Sequence, residues 1–316
     1  MAVSPKLSAF LKQSNTYIAR MKARGVLPTP ETARAGMAQL TSFVSDIPEI
    51  AHIEDRTIIT HNLKIPVKIY SPSPDLPLPV LMYYHGGGHL CGNTDQYDPI
   101  TRKLALSANV IVVSVDYRLA PENPYPAGID DCFHATLNVW DVLNNVKHQH
   151  RQFIAGDSAG GAIAASIIMR NQDRPDLSIE KQVLIYPSLD YTLSSASYQR
   201  CGSGYLLETD KIRFYFDNYF QHNEDRLKAS PLFGRFSQNM PQTLVITAGF
   251  DPLKDEGRLY YTKVKEQGVY ASHYEFPGMI HAFMNLEDLV KEEAEELYQR
   301  IADFLKSSSS AIKVQP

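Results

Sequence analysis

The run Gly156-Asp157-Ser158-Ala159-Gly160-Gly161 carries the strongest chemical signal in the chain. It follows the apolar stretch 152–155 and opens a helical stretch through Ile163, Ile167 and Ile168. A serine with glycine two positions to either side fits a turn from strand to helix so tight that larger flanking side chains would collide. Gly156 and Gly160 permit that turn, with Asp157 inside it, and Ser158 is lifted out of the sheet where it can attack a carbonyl carbon. The helix that starts there leaves its first N–H groups unpaired, so the N–H of Ala159 is placed to bind a developing oxyanion.

A second element, His85-Gly86-Gly87-Gly88, directly follows the apolar stretch 80–84. Consecutive glycines let a backbone pass close to a ligand with its N–H groups facing it. Gly86 and Gly87 are read as further oxyanion donors, with Gly88 as support. No phosphate-loop or dinucleotide spacing surrounds the run. An imidazole at the start of such a loop is better used to hold it through hydrogen bonds than as a base, so His85 is read as structural.

Serine is a weak nucleophile until an imidazole accepts its proton and a carboxylate orients that imidazole. His222, His273 and His281 follow Ser158 in the chain. His222 falls in a region rich in aromatics, and His273 lies within the alternating stretch 270–276, where the pleat fixes its side chain. His281, in the loop expected just past that stretch, is the better base. Asp251 follows the apolar stretch 244–248 and is the favoured acid; Asp190 is a geometric rival, and Asp255 is expected inside the next helix.

These groups need a frame that brings strand ends to one edge. Short apolar runs at 80–84, 110–115, 152–155, 182–186 and 244–248 are the kind buried on both faces, and helical stretches such as 97–107, 129–143 and 159–170 separate most of them. This alternation predicts an α/β chain with a mainly parallel sheet and helices on both faces. Residues 56–70 read as an opening antiparallel hairpin around His61-Asn62, ended by the prolines of Ser71-Pro72-Ser73-Pro74. Residues 1–50 and the stretch 190–227, with an aromatic-rich helix at 210–220, fall outside the alternation. They are expected to form N-terminal cap helices and a cap insertion over a catalytic domain spanning 51–316, the alternative being additional core.

The 316 residues are 44% hydrophobic and 21% charged, within the range of ordinary globular proteins. A formal net charge of -4 gives no basic stripe, which excludes nucleic acid as an expected partner. No apolar segment approaches the roughly 20 residues of a membrane span, and no leader is read at residues 1–11. Cys91, Cys132 and Cys201 are far apart, so no disulfide framework or zinc site is suggested and a cytoplasmic location is expected. His148 and His150 lie in a polar stretch read as a solvated loop, and no metal or cofactor is assigned. The acidic run 292–296 is read as the solvated face of the last helix, and residues 307–310 as a frayed tail. A homodimer through a strand edge or helix is left open.

Taken in order, His85 to Gly88, Asp116-Tyr117-Arg118-Leu119-Ala120-Pro121-Glu122, Tyr125-Pro126-Ala127, Gly156 to Gly161, Asp251-Pro252-Leu253 and His281-Ala282-Phe283 resemble the bacterial hormone-sensitive-lipase-like carboxylesterases. The resemblance covers nearly the whole chain. It implies the α/β-hydrolase fold with a helical cap, a triad of Ser158, Asp251 and His281, an oxyanion hole of Gly86, Gly87 and Ala159, and small-molecule esters with short to medium acyl chains as substrates. An acyltransferase or amidase on the same triad is the nearest alternative, and a silent small-molecule receptor is a third. Where the family commonly has an aromatic residue after the glycines this chain has His89, which implies a more polar pocket wall.

Overall fold

The computed structural model describes residues 2–60, 62–173 and 176–307. His61 of the expected hairpin turn and residues 308–310 of the expected tail lie outside the described residues.

The N-terminal segment forms two helices, α1 (Ser8–Ala23) and α2 (Pro30–Thr41). The start of α2 is dictated locally. Thr29 Oγ1 accepts from the Thr32 N–H at 3.3 Å, Thr32 Oγ1 accepts from the Thr29 N–H at 2.9 Å, and Pro30 takes the first helical position, where its missing N–H costs nothing.

A single eight-stranded sheet follows among the described residues. Its strands are β1 (His52–Ile59), β2 (Lys64–Ser71), β3 (Leu78–Tyr84), β4 (Ile111–Val115), β5 (His148–Asp157), β6 (Ile179–Ile185), β7 (Gln242–Phe250) and β8 (Ala271–Ile280). The spatial order is β1-β2-β4-β3-β5-β6-β7-β8. The opening pair is the expected antiparallel hairpin, β2 also runs antiparallel to β4, and the other pairs are parallel. Tyr84 pairs with both Val115 and Gly156, and Asp157 pairs with Ile185, so the loops leaving β3 and β5 start side by side.

The helices between strands are α3 (Asp98–Ala108), α4 (Ala127–Leu137), α5 (Ala159–Asp173), the short α6 (Ser197–Arg200), α7 (Thr209–Tyr219), the short α8 (Arg226–Ala229) and α9 (Lys254–Glu266), and α10 (Lys291–Lys306) follows β8. Leu104 of α3 and Leu297 and Ile301 of α10 pack on one face of the sheet with Leu11 of α1. Phe133 of α4, Ile163 and Ile167 of α5 and Tyr260 of α9 cover the other. Among the described residues no helix is long and apolar enough to cross a membrane.

Several sequence expectations need correction. The helix expected over 129–143 ends at Leu137, where Asn138 donates from its side-chain amide to the His134 carbonyl at 2.8 Å, and a separate 3-10 turn covers Val139–Val142. His148 and His150 belong to β5, not to a loop; Trp140 packs against both rings, at 5.4 and 4.9 Å between centroids. Pro277 to Ile280, expected as a loop, extends β8, because a bulge between Ala248 and Phe250 lets Phe250 pair with Ile280. The acidic run of α10 is the expected solvated face, across which the exposed Lys6 pairs with Glu292 and, at 3.0 Å, with Glu293.

Candidate active site

Ser158 sits between the end of β5 and the start of α5 with φ of +54°, the strained conformation that the flanking glycines were read as allowing. A β-carbon on Gly160 would come within 1.9 Å of the Tyr84 carbonyl oxygen, so β3 and α5 approach as closely as backbones can. The turn is pinned from the next strand. Ser158 N–H donates to the Ile185 carbonyl at 2.9 Å, and its own carbonyl accepts from Ser188 N–H at 3.1 Å.

His281 follows β8 and Asp251 follows β7, which brings both to the strand ends beside this turn. Asp251 is fully buried. Its Oδ1 accepts from the Leu253 N–H at 2.8 Å, and its Oδ2 accepts from His281 Nδ1 at 2.8 Å. A proton on Nδ1 leaves Nε2 as the acceptor, and Nε2 lies 2.8 Å from Ser158 Oγ. Tyr186 meets the imidazole edge to face at 4.9 Å and limits its rotation. Such a chain of carboxylate, imidazole and hydroxyl can deprotonate the serine as it attacks a carbonyl.

The rival groups are occupied elsewhere. Asp190 accepts from the N–H and hydroxyl of Thr192 and of Ser194 within its own turn. Asp255, in the first turn of α9, pairs with Arg200 at 2.6 Å, and His273 bonds to Thr247 Oγ1 at 2.9 Å inside the sheet. His222 is exposed in the segment after α7.

One expected donor is wrong. The Gly86 N–H, read as facing an oxyanion, donates at 2.8 Å to Oδ1 of Asp157 and does not line the cleft. Gly87, Gly88 and Ala159 do line it, beside Ser158. The physical reason is a contact no local pattern reveals: Asp157, next to Ser158, reaches the glycine loop. Tyr83 hydroxyl donates to Asp157 Oδ1 at 2.8 Å and Tyr97 hydroxyl to Oδ2 at 3.0 Å. Loss of water still outweighs these bonds and raises the carboxyl from 3.8 to about 6.

His85 holds the loop, as expected. It is buried, donates from Nδ1 to the Gly86 carbonyl at 2.8 Å and stacks on Tyr117 at 4.4 Å, and the Tyr117 hydroxyl donates to the His85 carbonyl at 2.7 Å. His89 lines the cleft but is less polar in effect than expected. Its ring stacks face to face on Tyr219, 3.9 Å apart and 3° from parallel, and burial lowers its pKa to about 3, so it stays neutral. It fills the place of an aromatic ring, with one bond to the Tyr191 hydroxyl at 3.2 Å.

The cleft has a cavity of about 110 Å³. Gly36, Met37 and Leu40 of α2 and Lys211, Ile212 and Tyr215 of α7 contribute to its wall. Sequence reading missed Tyr97, Lys211 and Asn285 as lining residues. The only available signal was for Asn285, which stands four residues after His281.

An elbow serine bonded to imidazole and buried carboxylate at the carboxyl ends of a mostly parallel sheet defines the α/β hydrolases. The family profile described as alpha/beta hydrolase fold matches residues 81–285. The chain is 32% identical to an ethyl acetate hydrolase of Pseudomonas putida over 311 residues, 94% of this chain and 96% of that one. It is 36% identical over 274 residues to a carboxylesterase of Mycobacterium tuberculosis, covering 84% of this chain and 85% of the other. Among solved structures it is similar to a hyperthermophilic esterase of Pyrobaculum calidifontis, with TM-score 0.86, 34% identity and coverage of 97% and 98%. The chain belongs to the α/β-hydrolase family and, within it, to the hormone-sensitive-lipase-like carboxylesterases. It is a carboxylic ester hydrolase.

Proposed function

We propose that Ser158 is the nucleophile, His281 the general base and then acid, and Asp251 the group that fixes the imidazole. Ser158 Oγ attacks the ester carbonyl and passes its proton to Nε2; the alcohol leaves with that proton, and water repeats the sequence to free the acid. Each tetrahedral intermediate carries its charge on an oxygen facing the N–H groups of Gly87, Gly88 and Ala159. Three donors aimed at one oxygen account for several kcal/mol of barrier lowering, at about 3 kcal/mol each. The observation that carries this reading is the pair of 2.8 Å bonds joining Asp251, His281 and Ser158.

The preferred substrates are esters of short to medium acyl chains. An engineered cavity of about 150 Å³ just holds benzene, so the 110 Å³ here suits a small acyl group. Helices α1, α2 and α7, with the rest of residues 190–227, act as the cap that sets this size. The buried thiols of Cys91, Cys132 and Cys201 suit a reducing cytoplasm.

The test combines labelling with a chain-length series. A phosphonate reagent should add its mass to Ser158, Ser158→Ala should lose about 10⁴-fold or more in kcat on 4-nitrophenyl acetate, and kcat/KM should fall beyond medium chains. Undiminished turnover by Ser158→Ala would overturn the nucleophile, and preference for long, insoluble triglycerides would overturn the small pocket.

A further inference from the structure

Lys211, the third residue of α7, lines the cleft with Ser158. Among the described residues no carboxylate pairs with its ammonium; its close partner is the ring of Tyr215, with Nζ 5.8 Å from the centroid. The acids nearby are spent. Glu208, just before α7, is held by Lys22 at 2.7 Å and accepts from the Gly204 N–H at 3.4 Å. Asp157 carries three donors, and Asp251 is committed to His281 and Leu253. The Cys91 thiol, pushed up to about 11 by burial, is neutral.

The placement works against folding. A cation in the first turn of a helix faces the positive end of the helix dipole, and although Lys211 as a residue is exposed, partial desolvation at the cleft lowers its pKa below the ordinary lysine value. Tyr215 also lies against the glycine loop, since a β-carbon on Gly88 would meet its ring at 2.5 Å. The ring that carries Lys211 is therefore fixed relative to the oxyanion donors.

A second observation is independent of the first. Asn285 is fully buried and lines the same cleft; the Tyr97 hydroxyl is a neighbour of its amide, but neither Oδ1 nor Nδ2 makes a well-aligned hydrogen bond within the protein. The Tyr97 hydroxyl can serve at most one of the two atoms, so a purely hydrocarbon acyl chain leaves the buried amide under-satisfied, which is costly. A substrate with a further polar group does not.

We propose that the preferred substrates are esters bearing a carboxylate besides the scissile group, with the carboxylate paired to Lys211 and a polar substrate atom served by Asn285. The proposal deepens the serine-hydrolase reading and rests on it.

The test compares each anionic ester with its uncharged amide counterpart. Monomethyl succinate against methyl succinamate places the charge on the acyl side, and 4-acetoxybenzoate against 4-acetoxybenzamide places it on the alcohol side. At low salt the anion-to-amide ratio of kcat/KM should exceed one in at least one pair. That ratio should fall roughly tenfold in Lys211→Met, stay within about twofold in Lys211→Arg, and shrink between about 20 and about 500 mM NaCl. The responding pair identifies the side that Lys211 reads. Equal ratios in the wild type and Lys211→Met for both pairs, or wild-type ratios below one in both, overturn the proposal. Turnover of 4-nitrophenyl acetate and phosphonate labelling of Ser158 are run beside these. If both persist while the ratios are flat, only the carboxylate preference fails; if both are absent, the nucleophile assignment fails and the preference falls with it.

Discussion

Asp157→Asn separates the charge of the buried carboxylate from its shape. The carboxyl titrates at about 6 in the folded protein against 3.8 for an ordinary aspartate, with desolvation as the largest cause. The folded pKa is the higher one, so between about pH 4 and 6 the folded state holds the extra proton, and this group's contribution to stability falls as pH rises. At about 1.4 kcal/mol per pH unit, the gap between the two values makes the ionised group cost about 3 kcal/mol above pH 7 and about half of that at pH 5. Asparagine can keep the geometry. Its Oδ1 takes the Gly86 N–H and the Tyr83 hydroxyl, and its Nδ2 faces the Tyr97 hydroxyl, which rotates to accept and turns its own proton toward the neighbouring side chain of Asn285.

Urea unfolding of both proteins at pH 8, 6.5 and 5 measures the effect. The variant should be the more stable by up to about 3 kcal/mol at pH 8, with the advantage shrinking as pH falls and closing near pH 4. The same charge favours protonated His281, to which it is electrostatically coupled, so kcat should drop by about tenfold or less while the glycine loop stays anchored. A variant less stable than the wild type at pH 8, or a difference that does not change with pH, would refute the reasoning.

Other substitutions test separate parts of the frame. Gly160→Ala puts a methyl group 1.9 Å from the Tyr84 carbonyl and must push β3 from α5, so it should lose about 3 kcal/mol or more by chemical denaturation. His89→Phe keeps the stack on Tyr219 but loses the Tyr191 bond and places a bulkier ring at φ of +63°; it should cost about 1–2 kcal/mol and leave kcat/KM on 4-nitrophenyl butyrate within about threefold. A tenfold change in acyl preference would instead make His89 a polar wall. Lys181, fully buried on β6, donates to the carbonyls of Phe304, Leu305 and Ser307 at 2.7, 3.1 and 2.6 Å and so closes the end of α10. Lys181→Met leaves those carbonyls without their cation and should lower stability by about 2–4 kcal/mol, read from the unfolding midpoint.

The sequence was most legible where local rules act alone. Apolar runs named the central strands because buried parallel strands have little choice of composition, and the glycines about Ser158 announced their turn because larger residues cannot make it. It was least legible where a distant side chain decides. Asn138 stopped a helix whose apolar period ran on through Val142, and pairing of His148 with Leu78 of β3, with Trp140 packed on both rings, set His148 and His150 in a strand that their polarity disguised. Lys211 had no signature and Asn285 only its place four residues after His281, since a lysine on an amphipathic helix and an asparagine in a short turn are ordinary surface residues until the chain folds a cleft between them.

The misread Gly86 and the unread role of Asp157 are the same fact seen from two ends of one hydrogen bond. Taken separately, the glycine loop is proposed to supply donors and the serine turn a nucleophile. The bond makes them one device, because the residue next to Ser158 fixes the loop whose next two residues, Gly87 and Gly88, line the cleft and are proposed to turn their N–H groups to the substrate. A shift of the serine turn would therefore carry the oxyanion donors with it and preserve their aim. That coupling explains why a polar side chain of this size stands beside Ser158: the two carboxylate oxygens accept all three donors at once, and a smaller or apolar residue would free the loop.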